Sequence, residues 1–296
     1  REIRVQAFLA LSRGAKGIAY FPYLTDLYYE GLVTQYCPRQ PWSPYFDSVA
    51  ALNQDLRVIG PIMRRLECTA AFPSDSIPPD SYIKSVTGSD YIEIGTCVDS
   101  RGTDYFMLVN RHCLPEDTVT LTVEIEKEGT WFCRDMLTGE DTVLVSDPTG
   151  RFYYTKVVGP GDGCLVLLKK AKYGLIARDV WYEYEYIAGD VTVPDTGLVR
   201  VESGTLVKVL ARYDNQCHGV DSMLSEVIVE GTFSTVPTSI VADTTVFTSA
   251  ADTAQPGDWY GIRFRPNSSG SIRECVIEYG YTGLEAFGAN LSLIRQ

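Results

Sequence analysis

Apolar residues recur along this chain with two different periods, and the period changes after the first quarter. From Glu2 to Ser12, Ile3, Val5, Ala7, Phe8 and Leu11 fall at helical spacing, and Gly14-Ala15 supplies a stop. Lys16-Gly17-Ile18-Ala19-Tyr20-Phe21 then predicts a buried strand. A second helix is predicted from Asp47 to Leu66, where Val49, Leu52, Leu56, Ile59, Ile62 and Met63 recur every three or four residues. A helix, a strand and a helix cannot bury such a stripe among themselves. Residues 1–67 are therefore expected to be the last part of a larger α/β domain.

From 68 to 170 the period shortens to that of strands: Tyr91-Ile92-Glu93-Ile94, Tyr105-Phe106-Met107-Leu108-Val109, Val119-Thr120-Leu121-Thr122-Val123 and Gly163-Cys164-Leu165-Val166-Leu167, with turn residues between. Such spacing predicts an antiparallel β-sandwich. From 171 to 296 the strands become shorter still and are punctuated by Gly, Asp, Thr and Ser, as in Gly189-Asp190-Val191-Thr192-Val193 and Val227-Ile228-Val229-Glu230-Gly231. From Asp258 onward a short strand repeats at Asp258 to Phe264, Ser271 to Tyr279, Thr282 to Ala286 and Leu291 to Ile294. Strands too small to bury their own apolar face predict stacked coils with a continuous core, an ordinary β-meander being the alternative. The repeat stops without a capping segment, and the first helix opens with no initiator Met or leader, so the chain is expected to be a fragment.

Composition narrows the partners. The 296 residues are 45% hydrophobic and 22% charged, ordinary for globular domains. A net charge of -12 disfavours nucleic acid and anionic membrane surfaces, which require basic patches. No apolar run approaches the roughly 20 residues of a membrane span. The eight cysteines are scattered singly, without the paired spacing of a zinc site, and those in strand runs read as buried thiols with a disulfide as the alternative.

Three stretches carry a family likeness. Arg4 to Phe21 resembles the seventh helix and eighth strand of (β/α)8 glycoside hydrolases of the β-galactosidase-like kind, and Asn53-Gln54-Asp55-Leu56-Arg57-Val58-Ile59-Gly60-Pro61 resembles their final helix. Met107-Leu108-Val109-Asn110-Arg111, Asp135 to Glu140 and Gly159-Pro160-Gly161-Asp162-Gly163 resemble the sandwich domain that follows such barrels. Gly189 to Lys208 and Gly257 to Ile262 resemble the start of a right-handed parallel β-helix. The resemblance implies a multidomain, mostly β chain: the end of a (β/α)8 barrel at 1–67, a β-sandwich at 68–170 and the first coils of a β-helix at 171–296. It also implies an extracellular or cell-surface enzyme that hydrolyses glycosidic bonds. A non-catalytic adhesion or polysaccharide-binding β-helix protein is the alternative.

Such glycosidases work with two carboxylates about 5 Å apart, which in the family lie at the ends of the fourth and seventh strands. Both positions would precede Arg1, so no residue here takes a catalytic role, and Glu2 reads as a carboxylate complementing a helix N-terminus. What remains is sugar-binding wall, built by loops at the C-terminal ends of barrel strands. Tyr20, Tyr23 and Trp42 are the candidate substrate-binding residues, since an aromatic face suits a pyranose and a polar tip hydrogen-bonds; Phe21 reads as core. Trp259, Tyr260, Tyr279 and Tyr281 either line a second groove or pack between coils. His112 and His218 lack an orienting third group. Asp214, Asn215 and Asp221 offer oxygen ligands without EF-hand spacing. No cofactor and no metal are expected; the expected partner is an oligosaccharide or polysaccharide.

Overall fold

In the computed structural model, helix α1 spans Glu2–Ser12, the bounds its apolar spacing predicts. Val5, Ala7, Phe8 and Leu11 are buried, and Glu2 sits in the first turn, where a carboxylate complements the dipole. Gly14 ends the helix at φ +91°, its N–H donating to Leu11 O at 2.9 Å. Helix α2 spans Pro44–Met63, beginning before the expected Asp47 and ending before Leu66. Its stripe is inward as predicted, with Val49, Leu52, Ile59 and Met63 buried. The structure describes residues 1–20, 32, 44–236 and 243–294.

One expected element is absent among the described residues. Residues 16–20 form no strand, and Phe21 lies outside the described residues. A strand is held by a hydrogen-bonded neighbour, and among the described residues none flanks this segment. Lys16 is held by α2 instead, its Nζ donating to Met63 O at 2.9 Å and to Leu66 O, carbonyls at the helix C-terminus.

The chain divides into two compact units, Arg1–Leu168 and Lys169–Gln296. In the first, nine strands follow the helices: β1 Glu67–Pro73, β2 Ile83–Thr87, β3 Ile92–Val98, β4 Asp104–Asn110, β5 Val119–Glu126, β6 Thr130–Asp135, β7 Asp141–Val145, β8 Arg151–Val158 and β9 Gly163–Lys170. They make a six-stranded sheet, β1-β3-β4-β9-β6-β7, and a three-stranded one, β2-β5-β8. Neighbours such as β3–β4, β4–β9 and β5–β8 pair antiparallel. Ile94, Phe106, Leu108 and Val166 from the larger sheet share one core with Leu121, Val123, Ile125 and Phe152 from the smaller. The alternation of β5 follows from this, since Leu121, Val123 and Ile125 are buried and Val119 packs against the core from the same face. Strands β3 and β4 are buried nearly throughout, because α1 covers part of their second face. Two glycines admit the helix: a Cβ on Gly163 would lie 2.6 Å from the Phe8 ring, and one on Gly95 2.9 Å from Ser12 Cα.

The second unit contains β10 Lys172–Leu175, β11 Arg178–Trp181, β12 Tyr184–Val193, β13 Leu198–Glu202, β14 Leu206–Val209, β15 Glu226–Val229, β16 Thr232–Val236, β17 Thr245–Ser249, β18 Gly261–Phe264, β19 Ser269–Arg273, β20 Cys275–Ile277, β21 Leu284–Ala286 and β22 Asn290–Ile294. Every pairing among them is parallel and joins strands two or three apart in sequence. One row runs β11-β13-β16-β19-β22; the other sheet runs β20-β17-β14-β12-β15-β18-β21. The long strand β12 serves two rows, pairing through Tyr184–Ile187 with β14 and through Val191–Val193 with β15. Parallel neighbours exclude the β-meander, whose neighbours are antiparallel. The interior is filled by Val191, Val199, Val207, Val227, Ile262 and aromatic rings, with Trp181 and Phe233 edge to face at 5.5 Å between centroids. The chain as a whole is mostly β, with 47% of its residues in strands and two helices among the described residues.

Candidate functional site

Of the three predicted wall residues, Tyr23 and Trp42 lie outside the described residues. Tyr20 is half-buried and donates its hydroxyl to Asn53 Oδ1 at 3.2 Å, and burial raises its phenol above the ordinary value against the opposing charge of Arg4. Asn53, Lys16, Ile18, Leu56, Arg57 and Arg64 help line a cavity of about 550 Å³ between residues 16–18 and α2. None of its lining residues is a carboxylate. Its chemistry is therefore apolar contact plus amide and cationic hydrogen-bond donors, and it holds no acid/base pair of the kind glycoside hydrolysis requires.

The aromatic residues of the second unit divide into two kinds. Trp259 is fully buried, with Nε1 donating to Glu278 O at 2.9 Å, and so belongs to the core. Tyr260 is nearly buried, whereas Tyr279 is 37% and Tyr281 72% exposed. Parallel stacking brings Tyr281 onto Tyr260: Tyr281 N–H donates to Trp259 O and Thr282 N–H to Tyr260 O, both at 2.8 Å. The two rings lie 5.9 Å apart with 32° between their planes. Tyr260 donates its hydroxyl to Glu285 Oε1 at 3.2 Å, and burial together with the Glu285 carboxylate raises its phenol above the ordinary value. The Arg263 guanidinium stands 5.5 Å from the Tyr260 ring.

Behind these rings is an ionic network of which the sequence pattern singled out only Asp214 and Asp221. Arg263 is side by side with Glu285 on the next strand, in register across β18 and β21, and its Nε donates to Glu226 Oε2 at 3.0 Å. Glu226 is fully buried, and its other oxygen accepts the Val220 N–H. Asp190, also fully buried, accepts three backbone N–H groups: Glu226 at 2.9 Å, His218 at 2.8 Å and Gly219 at 2.7 Å. Burial pushes the Asp190 carboxyl up to about 6; the Glu226 N–H opposes this and the neighbouring Asp214 charge adds to it. Asp214 accepts from Asp190 N–H at 3.0 Å, Gln216 N–H at 2.9 Å and Cys217 N–H at 2.7 Å, and Asp221 accepts from Met223 N–H at 2.8 Å. These carboxylates thus pin the segment between β14 and β15 to the coil. The sequence signal for them is a charged residue inside an apolar strand: Glu226 before Val227-Ile228-Val229, and Arg263 between Ile262 and Phe264.

His112 packs its ring 5.0 Å from that of Tyr91, and its N–H donates to Asn110 Oδ1 at 3.1 Å. The arrangement with a direct chemical use is therefore the Tyr260–Tyr281 pair. It offers an exposed flat ring, a second ring beneath it, and a carboxylate held at its rim by a tyrosine hydroxyl. No protein-family model matches the chain, and no curated protein is detectably similar to it.

Proposed function

We propose that the chain is the C-terminal portion of a carbohydrate-active enzyme that hydrolyses glycosidic bonds, and that its own part in that work is to bind polysaccharide at the Tyr260–Tyr281 surface. On this reading 1–67 is the end of a (β/α)8 barrel, 68–170 a β-sandwich and 171–296 the first coils of a right-handed parallel β-helix. The two antiparallel sheets around one core support the sandwich. The rows of parallel strands sharing one interior support the β-helix. Helices α1 and α2 packed together support the barrel end, and the missing strand at 16–20 weighs against it. An extracellular or cell-surface location accompanies the reading.

The observation that carries it is Tyr281, an exposed aromatic ring set over Tyr260, with Glu285 hydrogen-bonded beside it. A pyranose presents one apolar face and a rim of hydroxyls, which this pairing of ring and carboxylate complements. The alternative is a non-catalytic polysaccharide-binding surface protein, which would use the same surface. Glu226 is committed to Arg263 and Glu285 to Tyr260, so these two carboxylates shape the binding surface.

Affinity electrophoresis of the chain through gels containing a panel of neutral polysaccharides tests the binding. Retardation by at least one is expected, and Tyr281→Ala should weaken it about tenfold, the equivalent of about 1.4 kcal/mol. Mobility unchanged in every gel, or retardation indifferent to Y281A, would refute it. Assay of the full-length product against aryl glycosides then separates enzyme from adhesin.

A further inference from the structure

Strands β1 and β3 place Cys68 opposite Cys97 in antiparallel register. Directly opposed residues on such strands have Cβ atoms about 4.5–5.5 Å apart and point to the same face, close to the roughly 3.5–4.5 Å that a disulfide spans. A register shift between Cys68 and Ala70 marks an irregularity in β1 next to this pair. Among the described residues no other two cysteines are register partners: Cys133 faces Thr142 and Cys164 faces Leu108. Both members of the opposed pair carry free thiols. Cys97 is fully buried and Cys68 half-buried, so one thiol can be reached from solvent and the other lies behind it. Cys68 also touches α1, its Sγ–H donating to Ser12 O at 3.1 Å and its Cβ packing against Gly14.

We propose that Cys68 and Cys97 are a redox-modification site, closing into a reversible cross-strand disulfide on reaction with a small-molecule disulfide such as oxidised glutathione. The Cys68 thiolate attacks one sulfur of that disulfide, forming a mixed disulfide at Cys68 and expelling one glutathione thiolate. The Cys97 thiolate then attacks the Cys68 sulfur, forming the protein disulfide and expelling the second. Both protein thiols are oxidised, one glutathione disulfide is reduced to two thiols, and the two protons lost by the cysteines end on them. Burial, reinforced by the nearby Cys68, pushes the Cys97 thiol up to about 12, which makes the second step the slow one and faster as pH rises. Closure replaces the Cys68 bond to Ser12 O with a covalent tie between β1 and β3, so oxidation is felt at the last turn of α1.

The test is to incubate the chain with oxidised glutathione, unfold it in iodoacetamide, digest with trypsin, which cuts after Lys84 between the two cysteines, and map the peptides by mass. The expected result is two fewer alkylated thiols and one cross-linked species joining the Cys68 and Cys97 peptides, abolished by dithiothreitol. Cys97→Ser should arrest the reaction as a glutathione adduct on Cys68. Full alkylation of both cysteines in the wild-type chain, or cross-links that join other cysteines instead, would overturn the proposal, and neither result depends on a variant folding.

Discussion

At the residue scale, Asp190 shows how a buried acid can serve structure through its oxygens and oppose it through its charge. Its carboxylate satisfies three backbone N–H groups at once, and an amide in its place would turn an N–H₂ toward at least one of those donors. Asp190→Asn should therefore destabilise the second unit by about 2 kcal/mol, read as a lower urea midpoint. The pH dependence has a definite sign. The folded-state value, about 6, lies above the ordinary 3.8, so the contribution of Asp190 is fully present below 3.8 and declines as pH rises to about 6. The stability gap between wild type and D190N should narrow across that window and stay flat above it; a gap that widens would sink the assignment. Trp259 and Tyr281 make a different point. Both occur in the C-terminal repeat as aromatic residues beside glycine or tyrosine, yet one is fully buried and the other mostly exposed. Nothing in their immediate neighbours separates them. Their position relative to the next coil does, since Trp259 points into the shared interior and Tyr281 lies outside it.

Elements add what residues alone do not fix. The bounds of α1 were legible because five apolar residues at helical spacing end at a glycine, and the last turn closes at Gly14 with positive φ. What α1 rests on was not legible, because the contact depends on two residues without side chains, Gly95 and Gly163, on strands far along the chain. Gly95→Ala tests this docking, since the added methyl would meet the Ser12 backbone and Gly95 has no positive φ to confuse the result. A loss of about 1–3 kcal/mol in the first unit is expected, together with faster tryptic cleavage after Arg13; unchanged stability and cleavage would show that the helix is not seated there. The strand predicted at 16–21 is absent over its described residues, 16–20, for a related reason. Its apolar run suits a buried strand, but a strand also needs a partner for its backbone hydrogen bonds, and among the described residues none lies beside it.

On the scale of the whole molecule, charge would set which polysaccharide the proposed Tyr281 surface accepts. With a net charge of -12, the chain repels uronic-acid and sulfated polymers at long range, while stacking and neutral hydrogen bonds are little affected by ions. Retardation by a neutral polymer should persist from low to high salt, and an anionic polymer of the same backbone should retard less at low salt. Stronger binding to the anionic polymer would point to a local cationic site instead.

The sequence by itself determined the strand-rich character, the first helix, the inward stripe of the second and the presence of repeating short strands, because each follows from the spacing of apolar side chains within a few residues. Tertiary structure decided the rest: that the C-terminal strands take the parallel arrangement and not the meander that the pattern also allowed, that Arg263 and Glu226 meet in a buried ion pair, that Cys68 faces Cys97, and that Tyr281 stands over Tyr260. Each of these depends on register between strands separated by tens of residues. A strand's own period of two marks which face is apolar but carries no information about the neighbour or direction to which its backbone hydrogen bonds go.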